Sequence, residues 1–111
     1  MVDCIFCRIV NGQAGAWRVY EDDDCLAFLD AFPATRGHTL VVPKRHAEDL
    51  LALSEDQARD VMSATWRVAH LLDQRLAPSG LNVVQANRPA AWQEVFHIHM
   101  RCPSLRERQS A

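Results

Sequence analysis

Val95-Phe96-His97-Ile98-His99-Met100-Arg101 is the stretch on which the fold and the chemistry of this chain turn. Its apolar residues Phe96, Ile98 and Met100 alternate with His97, His99 and Arg101, and a period of two is that of a β-strand with one face toward a core. Neighbouring Cα atoms on one face of a strand stand roughly 6.5–7 Å apart, so two imidazoles and a guanidinium line one side. Three roles fit such a row. It can be a polar strand face without further work, it can supply two ligands of a catalytic zinc, or one neutral imidazole can attack phosphorus while nearby donors hold the phosphoryl oxygens.

Upstream of this stretch the chain supplies the rest of a sheet and a helix. Leu81 to Gln85 reads as a strand, separated from the histidine strand by a loop with Asn87, Arg88 and Pro89. Before it, Ser54 with Gln57 forms a capping box, and Ala58, Val61, Met62, Thr65, Ala69, Leu72 and Leu76 recur at helical spacing until Pro78-Ser79-Gly80. Residues 17–21 and 25–29 flank Asp22-Asp23-Asp24 as a hairpin. Pro33 and Gly37 punctuate the next segment, and His38-Thr39-Leu40-Val41-Val42 is a buried strand stopped by Pro43. One long helix against about five mostly antiparallel strands is an α+β domain. The polar stretch from Pro103 to Ala111 reads as a flexible tail, leaving one domain over residues 1–102.

Composition narrows the class. With 111 residues, 49% hydrophobic and 23% charged, the chain is one ordinary globular domain, and no apolar run approaches the roughly 18 residues of a membrane span. A net charge of −2 argues against a broad nucleic-acid surface, though a local cluster of donors can still hold a small anion. Met1-Val2-Asp3-Cys4 lacks a basic segment followed by an apolar one, so the expected compartment is the cytoplasm. In a reducing compartment Cys4-x-x-Cys7 points to metal more than to a disulfide, and no strand precedes it as a redox motif requires. A structural zinc needs four ligands, and His38, His46, His70 and the pair His97 and His99 are the candidates. Spacing does not choose among them. Cys25 and Cys102 read as packing residues.

Three blocks in order, Cys4-Ile5-Phe6-Cys7-Arg8-Ile9, Asp30 with Gly37-His38-Thr39-Leu40-Val41-Val42-Pro43-Lys44-Arg45-His46, and Gln93-Glu94-Val95-Phe96-His97-Ile98-His99, resemble the signature of the histidine-triad (HIT) nucleotide-binding family, in its zinc-containing bacterial form. The resemblance spans nearly the whole chain through Met100. It implies a HIT-like α+β fold with a short N-terminal helix, and a structural zinc held by Cys4, Cys7, His46 and His97. It implies a homodimer that binds a purine nucleotide of the AMP or GMP type. His99 then attacks the α-phosphorus and forms a nucleotidyl-histidine that water hydrolyses, in phosphoramidates, acyl-adenylates or dinucleoside polyphosphates. Such a nucleophile must be unprotonated, with its other ring nitrogen donating to a fixed acceptor such as a backbone carbonyl. Gln93 would donate to a phosphoryl oxygen, Asp30 would hold the ribose hydroxyls, and Phe6, Ile9, Phe28 and Leu40 would surround the base. Asn87 would contact sugar or phosphate.

The chain departs from that pattern in three places. Arg101 replaces the third histidine; its guanidinium can bind phosphate with two parallel bonds but cannot release a proton near neutrality. The expectation is therefore retained nucleotide binding with impaired turnover, or at the limit a nucleotide-binding module with weak or no catalysis. Residues 101–107 bear little likeness to the family's Val-x-Pro-Arg continuation, which reads as a truncated or frame-shifted end. Arg88 and Trp92 stand where glycines are common and are expected to narrow the phosphate loop.

Overall fold

The computed structural model describes residues 4–31 and 38–105. The segment punctuated by Pro33 and Gly37 and the tail from residue 106 onward lie outside the described residues.

Cys25–Leu29 (β2) and Thr39–Pro43 (β3) are the spine of the sheet, pairing antiparallel from Cys25 opposite Pro43 to Leu29 opposite Thr39. Apart from Thr39 they are apolar, and all but Leu29 are buried, because both faces are covered. Cys25, Ala27 and Val41 face the long helix Glu55–Leu76 (α2), meeting Val61, Ala64, Val68 and Leu72. Leu26, Phe28, Leu40 and Val42 face the other way, against Phe6 and Ile9 of the short helix Ile5–Val10 (α1). Arg18–Glu21 (β1) pairs with β2 and Met100–Cys102 (β5) with β3, so the sheet runs β1-β2-β3-β5, antiparallel throughout. The architecture is the expected α+β one, with the short N-terminal helix present.

α2 begins with the anticipated capping box: the Ser54 hydroxyl accepts from the Gln57 amide at 3.1 Å, and the Gln57 side chain accepts from the Ser54 amide at 2.8 Å. It ends at Ala77, left-handed at φ 44°, just before Pro78. Its buried stripe is Val61, Ala64, Thr65, Val68 and Leu72. Met62, expected on that stripe, is exposed, as is Trp66 one turn on.

Two strands are shorter than expected. Of Leu81 to Gln85 only Gly80–Leu81 (β4) is a strand, pairing with Ser104–Leu105 (β6), and Val84 adds an isolated bridge to Arg101. The first residues past the 102 boundary are thus paired into the domain. Of Val95 to Arg101 only Met100–Cys102 joins the ladder, because the Ile98 amide turns aside to the carbonyl of Ala47 at 2.8 Å. The strict alternation breaks accordingly: Ile98 is buried as expected, but Phe96 is 45% exposed and His97 wholly buried.

Candidate functional site

α1 is built around its cysteines. Cys4 caps the helix, its sulfur accepting from the Cys7 amide at 3.4 Å, so both thiols project from the first turn to one side. Into that side come His46, three residues beyond the end of β3, and His97. Cys4 Sγ lies 3.4 Å from His97 Nδ1, and Cys7 Sγ lies 3.3 Å from His46 Nδ1 and 3.5 Å from His97 Nδ1. The four ligand atoms stand within 4.8 Å of one another. Zinc bonds of about 2.3 Å to sulfur and 2.0–2.1 Å to nitrogen place S and N about 3.5 Å apart across a tetrahedron, so the spacing fits that ion. His97 is also prepared as a ligand. Its Nε2 donates to the carbonyl of Pro43 at 2.8 Å, which leaves the lone pair on Nδ1, facing the sulfurs. Burial lowers its pKa to about 4, against the Pro43 bond, with His46 and His99 lowering it further, so the ring is neutral as a ligand must be. These four residues could hold a zinc ion. His38, His70 and His99 stand outside the cluster.

His99, two residues on, is held in the opposite sense. Its Nδ1 lies 2.9 Å from the carbonyl oxygen of His97, which can only accept, so Nδ1 carries the proton and Nε2 the lone pair. Burial depresses its pKa, opposed by the His97 bond; the Arg101 charge lowers it further while Asp30 and Glu94 pull it back up. The ring meets Phe6 edge-on at 5.1 Å between centroids, and Phe6 meets Phe28 at 5.5 Å. Phe6, Ile9, Phe28 and Leu40 are thus one buried apolar cluster, with His99 at its side. Arg101 lies opposite Leu40 in the sheet register, and its charge also lowers the pKa of His38, after burial and against Asp30. Asp30 follows β2 with its carboxylate 3.9 Å from His38 Nδ1 and its amide on the His38 carbonyl.

Gln93 and Asn87 serve the loop around them. Gln93 Nε2 donates to the carbonyls of Glu48 at 2.6 Å and Val95 at 3.0 Å, while its Oε1 accepts from the Arg88 amide. Both amide protons are engaged in this arrangement, so Gln93 braces the loop here. Asn87 exchanges hydrogen bonds with Gln85, and its Oδ1 also accepts from the Leu50 amide at 2.8 Å. Together they clamp residues 85–93 onto 48–50, and no hydrogen bond joins either to His99 among the described residues. Arg88 and Trp92 both have positive φ, 74° and 72°, the conformation for which glycine is suited. The Trp92 side chain is 87% exposed.

Sequence reasoning could not see the carbonyls of Pro43 and His97, which orient the two imidazoles, because a backbone oxygen carries no residue signature. Nor does spacing along the chain pair His38 with Asp30; adjacency of β2 and β3 is what brings the two together.

The HIT domain model matches residues 11–102 of the chain. An uncharacterised 16.1 kDa HIT-like protein of Mycoplasma pneumoniae is 45% identical over 98 residues, covering 88% of this chain and 68% of that relative. Among solved structures, a Zn-bound histidine triad family protein from Mycobacterium smegmatis superposes with a TM-score of 0.90 at 39% identity, covering 96% of this chain and 78% of the other. A hypothetical histidine triad nucleotide-binding protein from Sulfolobus tokodaii superposes at 0.92 with 32% identity, covering 96% and 71%. With the HIT domain model matching residues 11–102 and a relative 45% identical over 88% of its length, the chain belongs to the HIT family.

Proposed function

We propose that this chain is a nucleotide hydrolase or transferase acting at the α-phosphate of purine nucleotide conjugates, with His99 as nucleophile. The observation that carries the proposal is the bond from His99 Nδ1 to the His97 carbonyl, which puts the reactive lone pair on Nε2 beside an apolar cluster fit for a base. Phe6, Ile9, Phe28 and Leu40 receive the purine, and Asp30 accepts from the ribose hydroxyls. The lone pair of Nε2 forms a bond to the α-phosphorus as the bond from phosphorus to the leaving group breaks, and the departing atom takes its proton from water. A water oxygen then attacks phosphorus, the P–Nε2 bond breaks, and the nucleoside monophosphate leaves with the ring restored. Arg101 holds phosphoryl oxygens with its planar fork. Gln93 contributes by exchanging the Val95 carbonyl, the longer of its two acceptors, for a phosphoryl oxygen. Asn87 acts through the same loop.

Zinc, when bound by Cys4, Cys7, His46 and His97, supplies a closed cross-link and no open coordination position. A reducing cytoplasm suits such thiols. The domain is proposed to work as a homodimer over residues 1–102. Support comes from α2, where Met62 and Trp66 form an exposed stripe with the His70 ring tilted 54° against Trp66 at 4.3 Å between centroids. No helix among the described residues is long and apolar enough to cross a membrane.

A second reading, a nucleotide-binding module with little turnover, is favoured by Arg101, which can bind phosphate but cannot donate a proton to a leaving amine. One experiment addresses both. The protein and its His99→Ala variant are incubated with an adenosine phosphoramidate, quenched rapidly and weighed by mass spectrometry. An adenylyl adduct on the native chain and none on the variant is the expected result. Consumption of substrate with equal labelling of both overturns His99 as nucleophile, and AMP binding without adduct or turnover selects the binding module.

A further inference from the structure

One short helix serves both the metal cluster and the proposed pocket. α1 is six residues long, whereas isolated helices shorter than about 12–15 residues are marginal in water, so its position is set by its attachments. Cys4 and Cys7 attach it to His46 and His97, Phe6 and Ile9 attach it to the sheet, and Arg18 donates to the Ile9 carbonyl at 3.0 Å. Phe6 lies between the two cysteines in sequence and is buried. Its ring meets three others near edge-on: His97 at 5.8 Å and 73°, His99 at 5.1 Å and 81°, and Phe28 at 5.5 Å and 66°. A single aromatic residue therefore touches a member of the metal cluster, the proposed nucleophile and Phe28 of the apolar cluster proposed to receive the base.

We infer that Phe6 is a positioning residue that transmits metal occupancy to His99, so that zinc and nucleotide each bind more tightly when the other is present. The His97 carbonyl fixes one edge of the His99 ring, but a single hydrogen bond leaves the ring free to swing about it; the edge of Phe6 closes that freedom from the side. Metal on the two sulfurs anchors α1 at Cys4 and Cys7, and Phe6 stands between them. Removal of the metal loosens the anchor, and Phe6 moves with the helix. Linkage makes the effect reciprocal: whatever factor zinc contributes to nucleotide affinity, nucleotide returns to zinc affinity. The inference rests on His99 facing the nucleotide, as proposed above.

The test uses the full chain. Zinc retention against a competing chelator is measured with and without AMP, and AMP affinity is measured by calorimetry on zinc-loaded and zinc-stripped protein. Both ratios are expected to agree and to be at least about fivefold, the lower end of ordinary allosteric coupling. Phe6→Leu, and Phe6→Met as a second variant of closer volume, keep an apolar side chain there and are expected to bring the ratio to about one with zinc stoichiometry retained. Native and variant ratios that are equal overturn the inference, since a Phe6 that only fills the core changes stability and not coupling. Imidazole resonances of His99 are also compared in nucleotide-free, zinc-loaded native and Phe6→Leu protein. Because loss of the Phe6 ring current moves proton signals by itself, the readout is the ring 15N shifts and linewidths: 15N shifts moved toward a tautomeric mixture, or broadened lines, support positioning, and native 15N shifts with native linewidths overturn it. Should AMP bind neither form, the nucleotide reading fails, and these resonances still decide the role of Phe6.

Discussion

His97 and His99, two residues apart, are held in opposite tautomers by backbone carbonyls. His97 donates through Nε2 to Pro43, and His99 donates through Nδ1 to His97 itself. The free lone pair of the first therefore faces the cysteine sulfurs, and that of the second is left on Nε2 beside Phe6. A repeated residue type thus presents its lone pair in two different directions according to which ring nitrogen a carbonyl occupies.

Arg101→His is expected to raise turnover of an adenosine phosphoramidate by about a hundredfold, the low end of what a general acid contributes, while AMP affinity changes little. Steady-state rates on the two proteins check this. Equal rates remove the reason for expecting the arginine to limit turnover.

Removing the metal should cost stability without erasing the sheet. With free zinc at about a thousand times its Kd, binding contributes about 4 kcal/mol, and for a domain of this size that is at least about 10 °C in Tm. Thermal melts before and after chelation, and of Cys4→Ser, measure it. Superimposable melting curves from protein shown to be zinc-loaded would count against the cluster as a stabilising site.

Arg88 at φ 74°, ψ 158° and Trp92 at φ 72°, ψ 26° hold conformations that cost non-glycine residues on the order of 1–3 kcal/mol each. Glycine relieves that strain but has more unfolded-chain freedom to lose. The expected net gain is about 1 kcal/mol for each of Arg88→Gly and Trp92→Gly, read as a rise in the denaturant midpoint at constant slope. A lower midpoint in both variants sinks the strain argument.

The thiols should react in a fixed order. Burial, with Asp22, Asp24 and Asp60 nearby, pushes Cys25 up to about 12, and burial alone pushes Cys102 up to about 11. Both are inaccessible, so an alkylating reagent reaches neither before unfolding. Without metal, burial and the neighbouring Cys4 thiol hold Cys7 near 11. At pH 8 about a thousandth of it is thiolate, so chelated protein is modified first at the part-exposed Cys7, slowly, and faster as pH rises. Native-state labelling of Cys25 or Cys102 at the rate of Cys7 contradicts this.

Much of the fold was legible because its signals are local. Ser54 and Gln57 are three residues apart and announce the start of α2 whatever surrounds them. Residues 25–29 read as one arm of a hairpin and 38–42 as a buried strand, and both are strands of the sheet. Local pattern failed at Val95 to Met100, where alternation promised a regular strand. The amide of Ile98 is taken by Ala47 from another part of the chain, and that bond exposes Phe96 and buries His97.

The sequence by itself determined the family blocks, the long helix, the two-residue spacing of His97 and His99, and the cysteine pair that needs partners. Tertiary structure decided which histidines join that pair, since His46 is 39 residues from Cys7 and His97 is 93 from Cys4. It also decided which nitrogen of each imidazole carries the proton. Such choices rest on where carbonyl oxygens and sulfurs come to lie once the sheet has formed, and distance along a chain holds no information about directions in space.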